Sequence, residues 1–251
     1  MMIHACSTLR IGDDILRILL LVPGVMSAHS SIEYRTHFTK MHQTVIGFIG
    51  ATEQLVFVQV PTVAAFFFAD SNAYLDVLVP LPYLEKEVAL KDIIILFAFL
   101  SGLHYNIENI LVSFCKAENK GYALGCVIPY AQFFLMLYCS SYSALWSQYP
   151  CYFLITCGSF LLYVNTIFNV CSTSSSKFDW LFIEPLFYLG IVYADVNGLV
   201  SREQAIALYI GFCVANLARY VRIMKNLVVH ICSHMGLSFL KVKEVNKVRQ
   251  D

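Results

Sequence analysis

Apolar residues along this chain gather into long runs. Windows of about 17–25 residues, the length that crosses a hydrocarbon core, recur near residues 8–28, 44–68, 88–114, 122–142, 152–170, 180–193 and 204–223. Asp13, Asp14 and Arg17 weaken the first window, and the sixth is short. Glu53, Gln54 and Gln59 lie inside the second, where hydrocarbon does not solvate them, so they are expected to face inward. No internal repeat or linker divides the chain. The pattern predicts an all-α polytopic membrane bundle of about seven spans, one membrane domain over residues 1–251.

Polar punctuation supports the same division. Asp70, Asn72, Pro80, Pro82, Glu85 and Lys86 predict a loop before the third span, and the segment Cys171–Lys177 predicts an exposed connection. Ser201 with Gln204 three residues later is a capping-box pattern, which places a helix start just after Gly198. Of the 17 Lys and Arg residues, seven follow Ala218, so the positive-inside rule predicts a cytosolic C-terminus. Among those charges Leu227, Val228, Ile231, Met235, Leu237 and Phe239 predict a basic interfacial helix and tail over residues 227–251.

Composition sharpens this. The chain is 58% hydrophobic and 14% charged, with a mean hydropathy of +0.65 and no formal net charge; soluble domains carry about 25% charged residues. It is built for lipid, and nucleic acid is not an expected partner. Most of its nine cysteines lie in apolar runs, where a thiol behaves as a small hydrophobe. A cleavable signal peptide is not expected, because Arg10, Asp13 and Asp14 interrupt the region before the first apolar run.

Ionisable residues within spans are the first place to look for chemistry. Glu53, flanked by Thr52 and the small residues Gly50 and Ala51, suits a tight polar cavity between helices, or else a hydrogen bond across helices. Glu184 precedes Pro185 and is expected to serve backbone groups near a kink rather than a cavity. Asn165, Asn169 and Asn216 are expected to bond between helices. His230 and His234 share a helical face while Cys232 points elsewhere, a weak zinc pattern. Adjacent Asp13 and Asp14 point in different directions on a helix and make a poor cation site. No P-loop, G-x-G-x-x-G, G-x-S-x-G or H-E-x-x-H sequence occurs.

Several segments resemble the choline/ethanolaminephosphotransferases, members of the CDP-alcohol phosphotransferase family, over roughly their C-terminal two-thirds. Gly47-Phe-Ile-Gly-Ala-Thr-Glu53 is similar to a family segment in which a glycine leads into a Thr-Glu pair at the start of a membrane helix. Gln148–Leu154 resembles the Pro-Cys entry to a later span. Leu217-Ala-Arg-Tyr220 and Ile231–Val242 resemble the family's closing segments.

The resemblance implies transfer of phosphocholine or phosphoethanolamine from a CDP-alcohol to diacylglycerol, with Mg²⁺ or Mn²⁺ held by acids of D-G-x-x-A-R-x₈-G-x₃-D-x₃-D. His4-Ala5-Cys6-Ser7 is similar to the motif's His-Gly-Cys-Asp ending and puts Ser7 where the last carboxylate, the expected base, should stand. The remaining acids would lie before Met1, as a missed upstream exon would also produce. His29, after Ser27-Ala28, matches a family histidine when about six residues are inserted. Tyr163 and Ile167 occupy polar family positions, and Asn165-Thr166 inverts a Thr-Asn pair.

The resulting expectation is a chain inactive on its own, with no catalytic residue and no cofactor of its own. Glu53, Thr52 and His29 would be the remnant of a substrate cavity. Diacylglycerol and phospholipid, a CDP-alcohol if the cavity is intact, and a homo- or heterodimer partner follow, at the endoplasmic reticulum or Golgi. The alternatives are a non-catalytic lipid-binding or regulatory paralogue and an unrelated multi-pass receptor or transport subunit.

Overall fold

A computed structural model of the chain describes residues 14–22, 28–40, 45–46, 49–50, 77–81 and 86–234. These residues are mostly helical. Two short helices come first, α1 (Ile15–Val22) and α2 (Ala28–Thr39). Two small antiparallel hairpins follow. In the first, β1 (Val45–Ile46) pairs with β2 (Ile49–Gly50); in the second, β3 (Leu78–Leu81) pairs with β4 (Lys86–Ala89), with Leu78 opposite Ala89 and Leu81 opposite Lys86. The bundle is completed by α3 (Leu90–Lys116), α4 (Lys120–Gly125), α5 (Ile128–Ser140), α6 (Pro150–Thr173), α7 (Glu184–Val196) and α8 (Arg202–His234).

Among the described residues four helical stretches are long and apolar enough to cross a membrane: α3, the α4–α5 pair, α6 and α8 through Ser233. The chain is a polytopic helical membrane protein. The sixth expected span falls short of this length: α7 has 13 residues, a rise of about 20 Å against about 30 Å of hydrocarbon. Of the first expected span, α1 accounts for 8 residues, and most of the rest lies outside the described residues. The second expected span does not begin as a helix: β-branched Val45, Ile46 and Ile49 pair as strands beside two glycines. Its remainder, including Thr52 and Glu53, lies outside the described residues.

Helix α6 is the centre of the bundle and packs on α2, α5 and α8. Phe153, Phe160 and Phe168 recur along it at helical spacing and are buried, with Cys157 and Val164 between them. Their rings continue into the neighbours: Phe153 meets Tyr209 of α8 edge-on at 4.9 Å, and Phe168 meets Phe178 at 4.5 Å. Pro150 begins α6 at a position where its missing N–H costs no hydrogen bond.

Helix ends follow local chemistry. Asn119 accepts from Tyr122 N at 2.9 Å to start α4, and Lys120 Nζ donates to the last carbonyls of α3, including that of Cys115 at 3.0 Å. Gly125 ends α4 against Trp180; a Cβ there would lie 2.8 Å from Trp180 Cε2, so the close approach demands glycine. Gly198 turns the chain after α7 with φ +66. The capping box then forms as the sequence predicts. Gln204 Oε1 accepts from Ser201 N at 2.9 Å, and Ser201 Oγ accepts from Gln204 N at 3.3 Å.

Two boundaries differ from expectation. Helix α6 runs on through Cys171 to Thr173, because Thr173 and Ser174 return their hydroxyls to carbonyls four residues back; only then does Ser175, at φ +54, break the helix. Helix α8 continues without interruption from its membrane segment to His234. No separate helix begins near Leu227, and the rest of the expected basic tail lies outside the described residues.

Candidate functional site

Helix α2 carries the polarity that the other helices lack. Its sequence AHSSIEYRTHFT has no apolar stripe, yet it is seated between α3 and α6. Ser30, Ser31, Glu33, Tyr34 and His37 are all buried. Such a segment survives among apolar helices only if its polar groups meet partners.

Two faces of α2 find different ones. Toward α3, Ser31 Oγ accepts from Asn109 Nδ2 at 3.0 Å, and Arg35 Nη1 donates to Asn109 Oδ1 and Glu108 Oε1, each at 3.2 Å. Asn109 is fully buried and spans both contacts. Toward α5 and α6, Ser30 Oγ accepts from Asn165 Nδ2 at 3.0 Å, while Tyr130 Oη donates to Asn165 Oδ1 at 3.3 Å. Asn165 is therefore the interhelical partner its sequence position predicts.

Ser30, Glu33 and His37 share one stripe at i, i+3 and i+7. Glu33 is 7% exposed. One turn on, Phe178 N–H donates to Tyr122 Oη at 2.6 Å, and Tyr122 Oη lies 3.2 Å from His37 Nε2. Which of the two donates depends on the imidazole tautomer, and the other ring nitrogen, Nδ1, is buried and lacks a hydrogen-bond partner among the described residues. An open buried ring nitrogen thus shares a stripe with a carboxylate. The arrangement can bind a polar group that donates to Glu33 and hydrogen-bonds His37 Nδ1.

Burial, with Lys40 nearby, lowers the His37 pKa to about 4. Above pH 6.5 the ring is neutral folded or unfolded, and it contributes no pH dependence. As pH falls from 6.5 toward 4 the unfolded chain takes up a proton that the folded chain refuses, so stability drops over that window. Thermal unfolding in detergent between pH 7.5 and 5 is expected to show this loss. His37→Gln, which keeps an acceptor for Tyr122, is expected to flatten it.

The residues singled out from the sequence are placed as follows. His29 is the second residue of α2, so its main chain begins the polar helix; its side chain lies outside the described residues, as do Ser7, Thr52 and Glu53 entirely. Glu184 sits in the first turn of α7 just before Pro185, where the helix dipole favours a carboxylate, and is ion-paired with Arg219 of α8. The guanidinium lies 6.0 Å from the Tyr163 ring. Asn216 is buried with Nδ2 unpartnered among the described residues. Asn169 contributes its carbonyl to Thr173.

Asp14 is engaged with Arg17, both through the main-chain N–H at 3.1 Å and as an ion pair, and Arg17 is held in addition by both carboxylate oxygens of Asp92. Among the described residues no three His, Cys, Asp or Glu side chains gather as a metal site requires, and His230 and Cys232 acquire no further ligand. The described residues do not fit the family's Mg²⁺ or Mn²⁺.

Sequence reasoning passed over Glu33, His37, Arg35 and Asn109. The available signal was a polar twelve-residue stretch bracketed by apolar runs, with Ser30, Glu33 and His37 in helical register. Comparison with known proteins finds no family profile, no curated protein and no solved structure that matches the chain. Fold and site together define a polytopic helical membrane protein with a polar seam inside its bundle.

Proposed function

We propose that the chain derives from the CDP-alcohol phosphotransferase fold and uses the polar seam around α2 as a headgroup cavity for a CDP-alcohol or diacylglycerol, without completing phosphotransfer by itself. The observation that carries this reading is the buried, unpartnered Nδ1 of His37 on the same stripe as Glu33, on the helix whose second residue is His29. An ionisable side chain that faces the interior of a membrane bundle is by default a functional-site candidate. Arg35, anchored by Glu108 and Asn109, supplies a cation on the adjoining face. The segments resembling the family, from Gly47–Glu53 to the closing Ile231–Val242, supply the class of substrate. Ser7 supplies a hydroxyl where the chemistry needs a carboxylate base.

The basic C-terminal residues favour a cytosolic C-terminus in a membrane of the endoplasmic reticulum or Golgi. The protein would act by holding substrate or by pairing with a complete enzyme.

Membranes carrying only this chain, supplied with labelled CDP-choline or CDP-ethanolamine, diacylglycerol and Mg²⁺ or Mn²⁺, are expected to yield no phospholipid above control. Substantial product would overturn the inactive reading. Saturable CDP-alcohol or diacylglycerol binding that is lost in Glu33→Gln supports the cavity, while the absence of any such binding removes it.

A further inference from the structure

Helix α8 is longer than the hydrocarbon it crosses. Its 33 residues rise about 50 Å against about 30 Å of acyl chains, so part of it stands at headgroup level. Contacts to the bundle fix which part. Phe212 meets Tyr188 of α7 at 5.1 Å, and Arg219 pairs with Glu184 in the first turn of α7. The two helices therefore run in opposite directions, and residues after Arg219 leave the bundle at the end where α7 begins. Beyond that point α8 divides: exposed Arg222 and Lys225 continue the side of Arg219, while half-buried Ile223, Met224, Leu227 and Val228 take the other.

Other elements bring cations to the same end. Phe178 N–H donates to Tyr122 Oη, and that oxygen contacts His37, so α2, α4 and the connection before α7 converge here. Their lysines come with them. Lys40 stands one turn past His37, Lys116 and Lys120 flank the α3–α4 junction, and Lys177 precedes Phe178; all four are exposed, as are Arg219, Arg222 and Lys225. Lys120 serves the Cys115 carbonyl as well. Among the described residues the acids at this end are Glu118, Asp179 and Glu184, and Glu184 is already paired with Arg219. The opposite end has no such surplus: Arg17, Lys91 and Arg202 accompany Asp14, Asp92, Asp195 and Glu203, and β4 adds Lys86 and Glu87. Trp180, packed on Gly125, marks the headgroup depth of the cationic end.

Charge and depth together define the partner. The cations come from four parts of the chain and lie around the rim of a membrane bundle, where lipid phosphates are. A zwitterionic headgroup carries its own ammonium and offers no net attraction. An anionic one gains about fivefold in binding for each Lys or Arg near the surface. We infer that this end of the bundle is a collar for anionic phospholipid headgroups, with Lys177 and Arg222 on its exposed rim, and that it lies in the leaflet that carries them, the cytosolic one.

The collar stands whether or not the seam around α2 holds a substrate. The test is native mass spectrometry of the full chain, released from dodecyl maltoside and titrated with phosphatidylserine and phosphatidylcholine of identical acyl chains. Phosphatidylserine is expected to bind at about tenfold lower concentration, and raising the salt from about 0.05 M to about 0.5 M should remove most of that preference. Lys177→Gln and Arg222→Gln, both at exposed positions, are each expected to reduce it about fivefold, while Arg202→Gln, exposed at the opposite end, leaves it unchanged. Equal binding of the two lipids, or a preference that falls as far in Arg202→Gln as in Arg222→Gln, overturns the collar. The leaflet is read with two native cysteines. An impermeant maleimide added to sealed microsomes is expected to label exposed Cys115, at the end of α3, before permeabilisation, and exposed Cys151, at the start of α6, only afterwards. The reverse order overturns the cytosolic placement.

Discussion

Replacing Phe168 with alanine is expected to destabilise the protein by about 3–5 kcal/mol, the cost of emptying a fully buried aromatic site. Phe168 has no exposed surface, and it joins three elements. Tyr34 lies over it at 6.2 Å and 17°, the His37 ring at 5.0 Å, and Phe178 edge-on at 4.5 Å. The substitution therefore does more than open a cavity in α6. It removes the apolar seat of α2, whose polar face has few other apolar contacts to hold it. Unfolding in detergent should show the full loss in Phe168→Ala and a much smaller one in Phe168→Leu, which keeps most of the volume. A loss under 1 kcal/mol for alanine would mean that α2 is held by its hydrogen bonds alone.

Arg219→Ala should produce the second large effect, again about 3 kcal/mol. The Glu184 side chain is only 14% exposed and its partner Arg219 50% exposed, so truncating the arginine strands a mostly buried carboxylate. The loss arises chiefly from that stranded charge. Glu184→Gln placed on Arg219→Ala is accordingly expected to recover at least half of it, as a double-mutant cycle would measure. If Arg219→Ala alone is neutral, the pair is a surface contact of the ordinary weak kind.

Much of this architecture is written in local chemistry. The long apolar runs of α3, α6 and α8 announce themselves by length, and Ser201 with Gln204 specifies its cap through two side-chain contacts three residues apart. Asn165 declares itself because an amide within an apolar run needs a partner. What could not be read was set by distant partners. Helix α2 resembles a surface loop in composition, and only Asn109 and Asn165, which are 78 and 135 residues away from the serines they bond, make it an interior helix. The strand pairing of Val45 and Ile46 escaped for the opposite reason: two residues are too few to establish a period, and the surrounding apolar run suggests a span.

Helix α2 also has a history imposed by its composition. When residues 28–39 leave the ribosome, Asn165 has not yet been made, and lipid offers nothing to Ser30, Glu33 or Arg35. Its polar side chains therefore gain their partners only once α3 and α6 have been made.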